Sequence, residues 1–139
     1  MTRLSARLRG AVVSRAEGRC EYCRTQQVIV IAMEIDHIVP QSVGGLTSLD
    51  NLCLACPTCN DFKHDYQTGI DPETQQEVAL FNPRTQQWAD HFAWDNDFTV
   101  LVGLTPTGRA TVNRLHMNDP IVVSARRVWV AAGWHPPED

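Results

Sequence analysis

The sequence predicts an α+β protein: a strand–loop–strand–helix unit between an N-terminal helix and a mixed C-terminal extension that ends in two helices. The first helix is expected over residues 3–17, where apolar residues recur at helical spacing, with Gly18 as its C-cap. Residues 28–39 (VIVIAMEIDHIV) are rich in β-branched side chains, which favour a strand. Two identical Cys-x-x-Cys turns lie on either side of this strand segment and indicate a compact unit around it.

The rest of the central unit follows from turn signals. Pro40 and the Gly44-Gly45 pair predict a loop after the first strand. A short second strand is expected from Asp50 to Leu54. A helix is then expected to begin near Pro57 and to run through Lys63.

The C-terminal extension has weaker patterns. Residues 65–87 are polar and contain Asp-Pro and Asn-Pro turns, so they predict an ordered loop or a hairpin. Residues 98–104 (FTVLVGL) predict a short strand. Helices are expected over residues 109–117 and 121–132, the second of them after an Asn-Asp-Pro start signal.

Composition and charge limit the classes of function. The chain has 139 residues, 43% of them hydrophobic and 20% charged, which suits one domain or a small domain with an appendage. Its net charge of −4 argues against nucleic-acid binding through a general excess of positive charge. Residues 1–63 carry seven basic and six acidic residues, whereas residues 64–139 carry five and ten. Eleven of the twelve basic residues are Arg, which grips phosphate with two hydrogen bonds.

No segment has the pattern of a membrane span or a secretory signal. Apolar runs stay well below the about 20 residues that cross a bilayer. The N-terminal residues contain repeated Arg and lack a continuous apolar stretch. We therefore expect a cytoplasmic protein without a membrane partner.

The cysteines predict a structural zinc site. An odd count of five fits four metal ligands and one further thiol better than a disulfide framework. Two Cys-x-x-Cys turns can place four thiolates tetrahedrally around zinc, and such a closed site is structural; a disulfide or redox pair is the alternative. Cys53 matches neither turn and is expected to be a small buried residue. The four predicted ligands are Cys20, Cys23, Cys56 and Cys59.

Polar residues between and just after the Cys pairs suit phosphodiester hydrolysis. Such hydrolysis needs a base that activates water and a cation that balances charge on the phosphate oxygens. His37 has a side chain suited to the first task. Asp36 and Asn60 offer the hard oxygen ligands of an ion like Mg²⁺. Strand alternation puts Asp36 and His37 on opposite faces, so a bent or edge-exposed strand is needed for a shared site.

Over about residues 15–65 the motifs resemble those of a known family. They read Cys-x-x-Cys, Glu-x-Asp-His-Ile-x-Pro, Gly-Gly, Asn-Leu and Cys-x-x-Cys-Asn-x-x-Lys. This pattern resembles the HNH endonucleases of ββα-metal fold in their zinc-containing form. The Asp-His-Ile-Val-Pro-Gln-Ser stretch is also similar to the HNH domain of CRISPR effector nucleases, which lacks the Cys pairs. The C-terminal part resembles the tail of stand-alone bacterial HNH proteins.

The resemblance implies a role for each motif residue. His37 would be the general base, and Asp36 and Asn60 would hold one catalytic divalent metal. Asn51 would be the middle Asn of the motif and would orient His37 through its side chain or its backbone. The third motif position is Asn60 rather than His, which favours Mg²⁺ or Mn²⁺.

Several of these residues also have a simpler structural interpretation. Asn51 could cap a turn, and Asn60 could cap a helix. Glu34 is a neighbour of the metal, an arginine partner or a solvated carboxylate. Lys63 either contacts phosphate or is a solvated charge on the helix.

These interpretations divide the chain into a zinc-stapled HNH core at residues 1–66 and an extension of unknown function at residues 67–139. The leading hypothesis is a DNA endonuclease, with RNA still open as a substrate. The alternatives are a non-catalytic zinc module that binds nucleic acid or protein, and a toxin-like domain held by an immunity protein. No element that would read bases is evident, so we expect nicking or weakly specific cleavage unless a protein partner supplies targeting.

Overall fold

A computed structural model describes residues 4–138. Within them the strands pair into three separate two-stranded antiparallel sheets, surrounded by five helices, which confirms the α+β class. None of these helices has the length and apolarity to cross a membrane. In chain order the elements are α1 (Ala6–Arg15), β1 (Glu34–His37), β2 (Leu52–Ala55), α2 (Pro57–Lys63), β3 (Thr68–Ile70), β4 (Glu77–Ala79), α3 (Trp88–His91), β5 (Phe92–Trp94), β6 (Leu101–Gly103), α4 (Pro106–Arg114) and α5 (Pro120–Ala131).

Helix α1 packs against the central unit. It begins after Ser5, whose hydroxyl accepts a backbone N–H of the first turn. The predicted C-cap at Gly18 is wrong, because the helix ends with Ala16 in the C-cap position. Gly18 instead turns the chain towards the first Cys pair, with a φ of 68°. Val12 is fully buried and packs with Leu52 of β2.

The first strand is much shorter than predicted. The expectation of a strand over residues 28–39 is wrong for residues 28–33 and 38–39, which form turns and bends. Val28 and Ile31 are 60% and 92% exposed and have no neighbouring strand to pack against. β-Branched residues favour a strand only where a partner strand is present. Here β2 supplies that partner for the four residues of β1 alone.

The strand–loop–strand–helix unit is confirmed, with small shifts in its bounds. The second strand begins two residues later than expected, because residues 49–51 form a 3₁₀ turn. Helix α2 has the predicted bounds, with Pro57 in its first turn.

The extension contains the predicted hairpin and two final helices, plus two elements that the sequence analysis missed. The hairpin is β3–β4. The prediction that a helix begins at residue 109 is wrong, since α4 starts at Pro106 after the Thr105 cap and contains Gly108. The last helix, α5, begins one residue before the predicted start. Helix α3 and strand β5 were not predicted, although β5 pairs with the expected β6.

One cluster of buried side chains joins both parts of the chain. The first part contributes the four paired cysteines, Tyr22 and Cys53. The extension contributes Phe81, Phe92 and Leu115, among others. The extension therefore packs on the same core that holds the cysteines. The division at residue 66 stays a prediction.

Candidate metal centre and candidate active site

The four cysteines of the two Cys-x-x-Cys turns form a cluster that is compatible with zinc. Their sulfur atoms all lie within 4.8 Å of one another. Cys23 Sγ and Cys56 Sγ are 3.7 Å apart, and tetrahedral zinc with bonds of about 2.3 Å separates sulfurs by about 3.8 Å. Among residues 4–138, no other group of three His, Cys, Asp or Glu side chains converges in this way.

Local hydrogen bonds stabilise negative charge on the cysteine sulfur atoms. In each turn the backbone N–H of the second cysteine donates to the first sulfur, from Cys23 to Cys20 at 3.5 Å and from Cys59 to Cys56 at 3.4 Å. The Thr25 hydroxyl lies 3.1 Å from Cys23 Sγ. Burial raises the pKa of Cys20, whereas hydrogen bonds from Cys20 and Cys56 lower the pKa of Cys23. A bound cation would therefore be required to ionise all four thiols.

Cys53 is a buried thiol outside this cluster, as predicted. It is 0% exposed, and its sulfur lies 3.4 Å from the Tyr22 hydroxyl. Burial, followed by the charge of Asp36, raises the pKa of Cys53. Cys53 therefore stays a neutral packing residue of β2.

Beside the cysteine cluster lies an open cavity of about 690 Å³. Its walls are β1, the loop that follows β1, and α2 with the residues just after it. It brings together the predicted site residues His37, Asp36 and Asn60. Since the sheet has only two strands, β1 is exposed along one edge, which lets neighbouring residues of opposite orientation reach one cavity.

The imidazole of His37 is held by a residue that the sequence analysis missed. His37 Nε2 lies 2.9 Å from Thr47 Oγ1. Gln41 Nε2 also donates to Thr47 Oγ1, at 3.1 Å. When Nε2 carries the ring proton and donates it to Thr47, Nδ1 keeps the lone pair that a general base needs.

The Asn51 side chain forms hydrogen bonds with the loop that follows β1 rather than with the imidazole of His37. Its side-chain oxygen accepts the N–H of Val39 at 2.8 Å, and its side-chain nitrogen donates to the carbonyl oxygens of Val39 and Leu46 at 2.9 Å. Its backbone carbonyl accepts the N–H of Ile38 at 2.9 Å. Asn51 therefore positions His37 through the backbone of the following residues.

The Gly44-Gly45 pair shapes the same loop. Gly44 has a φ of 93°, a conformation that favours glycine. A Cβ atom on Gly45 would lie 1.7 Å from the carbonyl oxygen of Val39. The tight turn that forms one wall of the cavity therefore requires glycine at position 45.

Asp36 and Lys63 form a buried ion pair. Their side chains are 4% and 2% exposed, and Lys63 Nζ lies 3.2 Å from Asp36 Oδ2. Lys63 also donates to the carbonyl oxygens of His37 and Ile38, both at 3.3 Å. Lys63 thus joins α2 to the end of β1 and the residue after it. Because its side chain is buried, both expectations for it, a phosphate contact and a solvated charge, are wrong.

Tyr22 completes the environment of Asp36. Its hydroxyl donates to Asp36 Oδ2 at 2.7 Å. Burial, and then the electrostatic influence of the neighbouring Cys53 and Asp36, raise the pKa of Tyr22, so the hydroxyl keeps its proton. With Lys63, this donor fixes the orientation of a carboxylate that still lines the cavity.

Asn60 and Glu34 meet at the edge of the cavity. The Asn60 side-chain nitrogen donates to Glu34 Oε2, which leaves the amide oxygen as the group that could bind a cation. The N-cap of α2 is Cys56, so Asn60 does not cap this helix. Glu34 is therefore a neighbour of the candidate site through Asn60.

Three further cavity residues, Asp61, His64 and Asp65, were also missed. Asp65 accepts a hydrogen bond from the Ser42 hydroxyl at 3.1 Å across the cavity. No Lys or Arg side chain lines the cavity within the described chain, whereas three carboxylates do. Such a surface attracts divalent cations and repels phosphate until a cation is bound. Its carboxylate and amide oxygens fit a hard ion such as Mg²⁺ or Mn²⁺.

The two sites lie within a segment that matches a known family. The model of the family described as HNH endonuclease matches residues 20–66. The match supports an HNH endonuclease domain over this segment and suggests a nuclease or another function related to nucleic acid. No curated protein and no solved structure matches the chain. The extension lies outside the matched residues.

Proposed function

We propose that this protein is a metal-dependent endonuclease that hydrolyses phosphodiester bonds in DNA. The observation that carries this proposal is the convergence of His37, Asp36 and Asn60 in one open cavity. His37 is the general base, and Asp36 and Asn60 hold one Mg²⁺ or Mn²⁺ ion. The HNH match over the same residues supports the assignment.

Thr47 suits the tautomer of His37 that the reaction needs. With Nε2–H donated to Thr47, Nδ1 accepts a proton from water. The resulting hydroxide attacks phosphorus in line, the bond to the 3′ oxygen breaks, and this oxygen takes up a proton from solvent water. The products carry 5′ phosphate and 3′ hydroxyl ends, as the family pattern implies.

The buried network supports the metal ligands. When bound, the divalent ion offsets negative charge on the phosphate and on the departing oxygen. Tyr22 and Lys63 hold Asp36 in one orientation. Lys63 also binds the backbone carbonyl of His37, so the base and a metal ligand share one support.

A second, structural metal belongs to this proposal. We assign Zn²⁺ to the cysteine cluster, whose sulfur spacing and backbone donors suit a closed tetrahedral site. With four thiolate ligands, this zinc has no position for water or substrate. Its role would be to fix the turn that contains Tyr22 against the start of α2.

The charge of the cavity determines when nucleic acid binds. The acidic cavity and the net charge of −4 favour binding of nucleic acid only after the catalytic ion is in place. DNA rather than RNA rests on the family alone. We propose nicking or weakly specific cleavage, with targeting or inhibition supplied by a protein partner.

Cleavage of supercoiled plasmid tests the proposal. The wild-type protein with Mg²⁺ or Mn²⁺ should convert plasmid to nicked or linear forms, and EDTA should abolish the conversion. His37→Ala should reduce the rate by about 10²- to 10⁴-fold, as expected for a lost general base. His116→Ala, which changes a histidine outside the cavity, is the matched control. Equal inactivity of the wild type and His37→Ala, with zinc bound and the fold intact, would favour the non-catalytic binding module.

A further inference from the structure

A buried arginine in the extension has no role in the proposed reaction. Arg126 of α5 is 1% exposed. Its Nη1 donates to the carbonyl of Thr99 at 2.8 Å and to Asn118 Oδ1 at 3.2 Å. Its guanidinium carbon lies 5.1 Å from the centre of the Trp94 ring. The Nε–H has no hydrogen-bond acceptor among residues 4–138.

Arg126 also lacks a carboxylate partner within the described residues. A guanidinium stays charged in proteins, and a buried charge without a counter-charge is strongly unfavourable. Asp95 is near enough to act on Arg126 electrostatically, but its Oδ1 accepts the backbone N–H groups of Thr99 and Val100. The hydrogen bonds of Arg126 to neutral groups therefore leave its charge without a paired anion.

Three cysteines of the cluster and Arg126 line the same small cavity. The cavity has a volume of about 70 Å³, and its lining includes Arg126, Cys23, Cys56 and Cys59. A zinc ion with four thiolates keeps two negative charges, because Zn²⁺ offsets only two of the four. Burial lowers the pKa of Arg126, while the charges of these three cysteines favour its charged form.

We infer that Arg126 is the counter-cation of the zinc–thiolate centre, and that the extension uses it to retain the metal and to anchor α5. The inference rests on the zinc part of the proposed function and is independent of the catalytic part. The buried Nε–H, which has no acceptor among the described residues, is available to a negatively charged centre. Outer partners of metal ligands typically change metal affinity by about 10- to 100-fold when they are removed.

Zinc release tests this role without any cleavage assay. The zinc content of each purified protein is measured first, and the rate of transfer to a colorimetric chelator is then followed. Arg126→Met, which keeps side-chain bulk but loses the charge, should release zinc about 10- to 100-fold faster than the wild type. Arg126→Lys should stay closer to the wild type, and Arg127→Met on the exposed side of α5 should match it. Release from folded Arg126→Met at the wild-type rate would overturn the inference.

A measurement on the wild type covers the case in which Arg126→Met does not fold. As a chelator withdraws zinc, Arg126 loses its anion while it is still buried, so α5 should lose protection against hydrogen exchange before α4 does, ahead of global unfolding. Unchanged protection of α5 after zinc removal would also overturn the inference. Absence of zinc from the purified wild type would refute the metal assignment itself, and plasmid cleavage reports separately on the catalytic proposal.

Discussion

The HNH segment and the extension bury charge in different ways. In the HNH segment Asp36 and Lys63 pair directly beneath the cavity, and both reach residues of the proposed site. In the extension Asp71 and Arg109 pair to hold the β3–β4 hairpin on α4, outside the residues matched to the HNH family. Arg126 pairs with no carboxylate among the described residues and lies beside the cysteines. The extension thus depends on the HNH segment for part of its electrostatic balance.

This contrast predicts that damage to the metal centre affects both regions, whereas damage to the extension away from Arg126 stays local. The reason is the shared core, in which the four cysteines pack with Phe81, Phe92 and Leu115. Substitutions in each region test this prediction.

The largest effect is expected from loss of a zinc ligand. Structural zinc contributes on the order of 10 kcal/mol to folding, comparable to the whole stability of a domain. Cys56→Ser should therefore bind no zinc and lose cooperative thermal unfolding, as followed by circular dichroism. Cys53→Ser is the matched control, because it changes the cysteine outside the cluster; it should keep full zinc content. Cooperative unfolding of metal-free Cys56→Ser at the wild-type temperature would contradict the dependence of the extension on the metal.

A smaller effect is expected from the buried ion pair. Lys63→Met leaves Asp36 buried without its partner and should lower the free energy of unfolding by about 3–5 kcal/mol. Urea denaturation of the zinc-loaded protein measures this change. Adding Asp36→Asn to Lys63→Met should recover much of the loss, because no uncompensated charge remains. A loss below about 1 kcal/mol in the single variant would mean that the pair is not buried in solution.

The smallest effect is expected at the ion pair of the extension. Both carboxylate oxygens of Asp71 accept hydrogen bonds from Arg109 at 2.9 Å, and this guanidinium holds the pKa of Asp71 well below its usual range. The stabilisation is therefore fully present above the unfolded pKa of about 3.9 and is lost as the pH falls below it.

Asp71→Asn should therefore lower the melting temperature at pH 7 but leave zinc content and plasmid cleavage unchanged. The difference in stability between the variant and the wild type should shrink as the pH falls below about 4. Thermal melts across this pH range measure it. A loss of bound zinc in Asp71→Asn would show that the extension controls the metal centre through more than Arg126.

The sequence predicted best those elements in which a chemical motif coincides with a local signal for secondary structure. The bounds of α2 follow from Pro57 in its first turn and from the Cys56 cap. The convergence of His37 with Asp36 and Asn60 was implied by the resemblance to the HNH endonucleases. Residues 28–33 were mispredicted because strand propensity cannot supply the partner strand that β1 finds only for four residues.

Contacts that depend on the folded chain could not be predicted. Thr47 lies in a loop without a local signal, yet it holds the His37 ring. Asp65 follows the end of α2 and reaches the cavity only because Ser42 lies opposite. Arg126 is separated from the cysteines by 67 residues or more, and only the packing of α5 brings them together.

The central claim is that the cavity at His37 cleaves DNA with a metal ion distinct from the one bound by the cysteines. Titration of Mg²⁺ or Mn²⁺ into zinc-loaded protein, with plasmid nicking and zinc content measured together, tests it most directly. Nicking should begin only after the second ion is added, with zinc content unchanged, and Asn60→Ala should lose nicking while keeping its zinc. Nicking at full zinc content without an added ion, or undiminished nicking by Asn60→Ala, would contradict the claim.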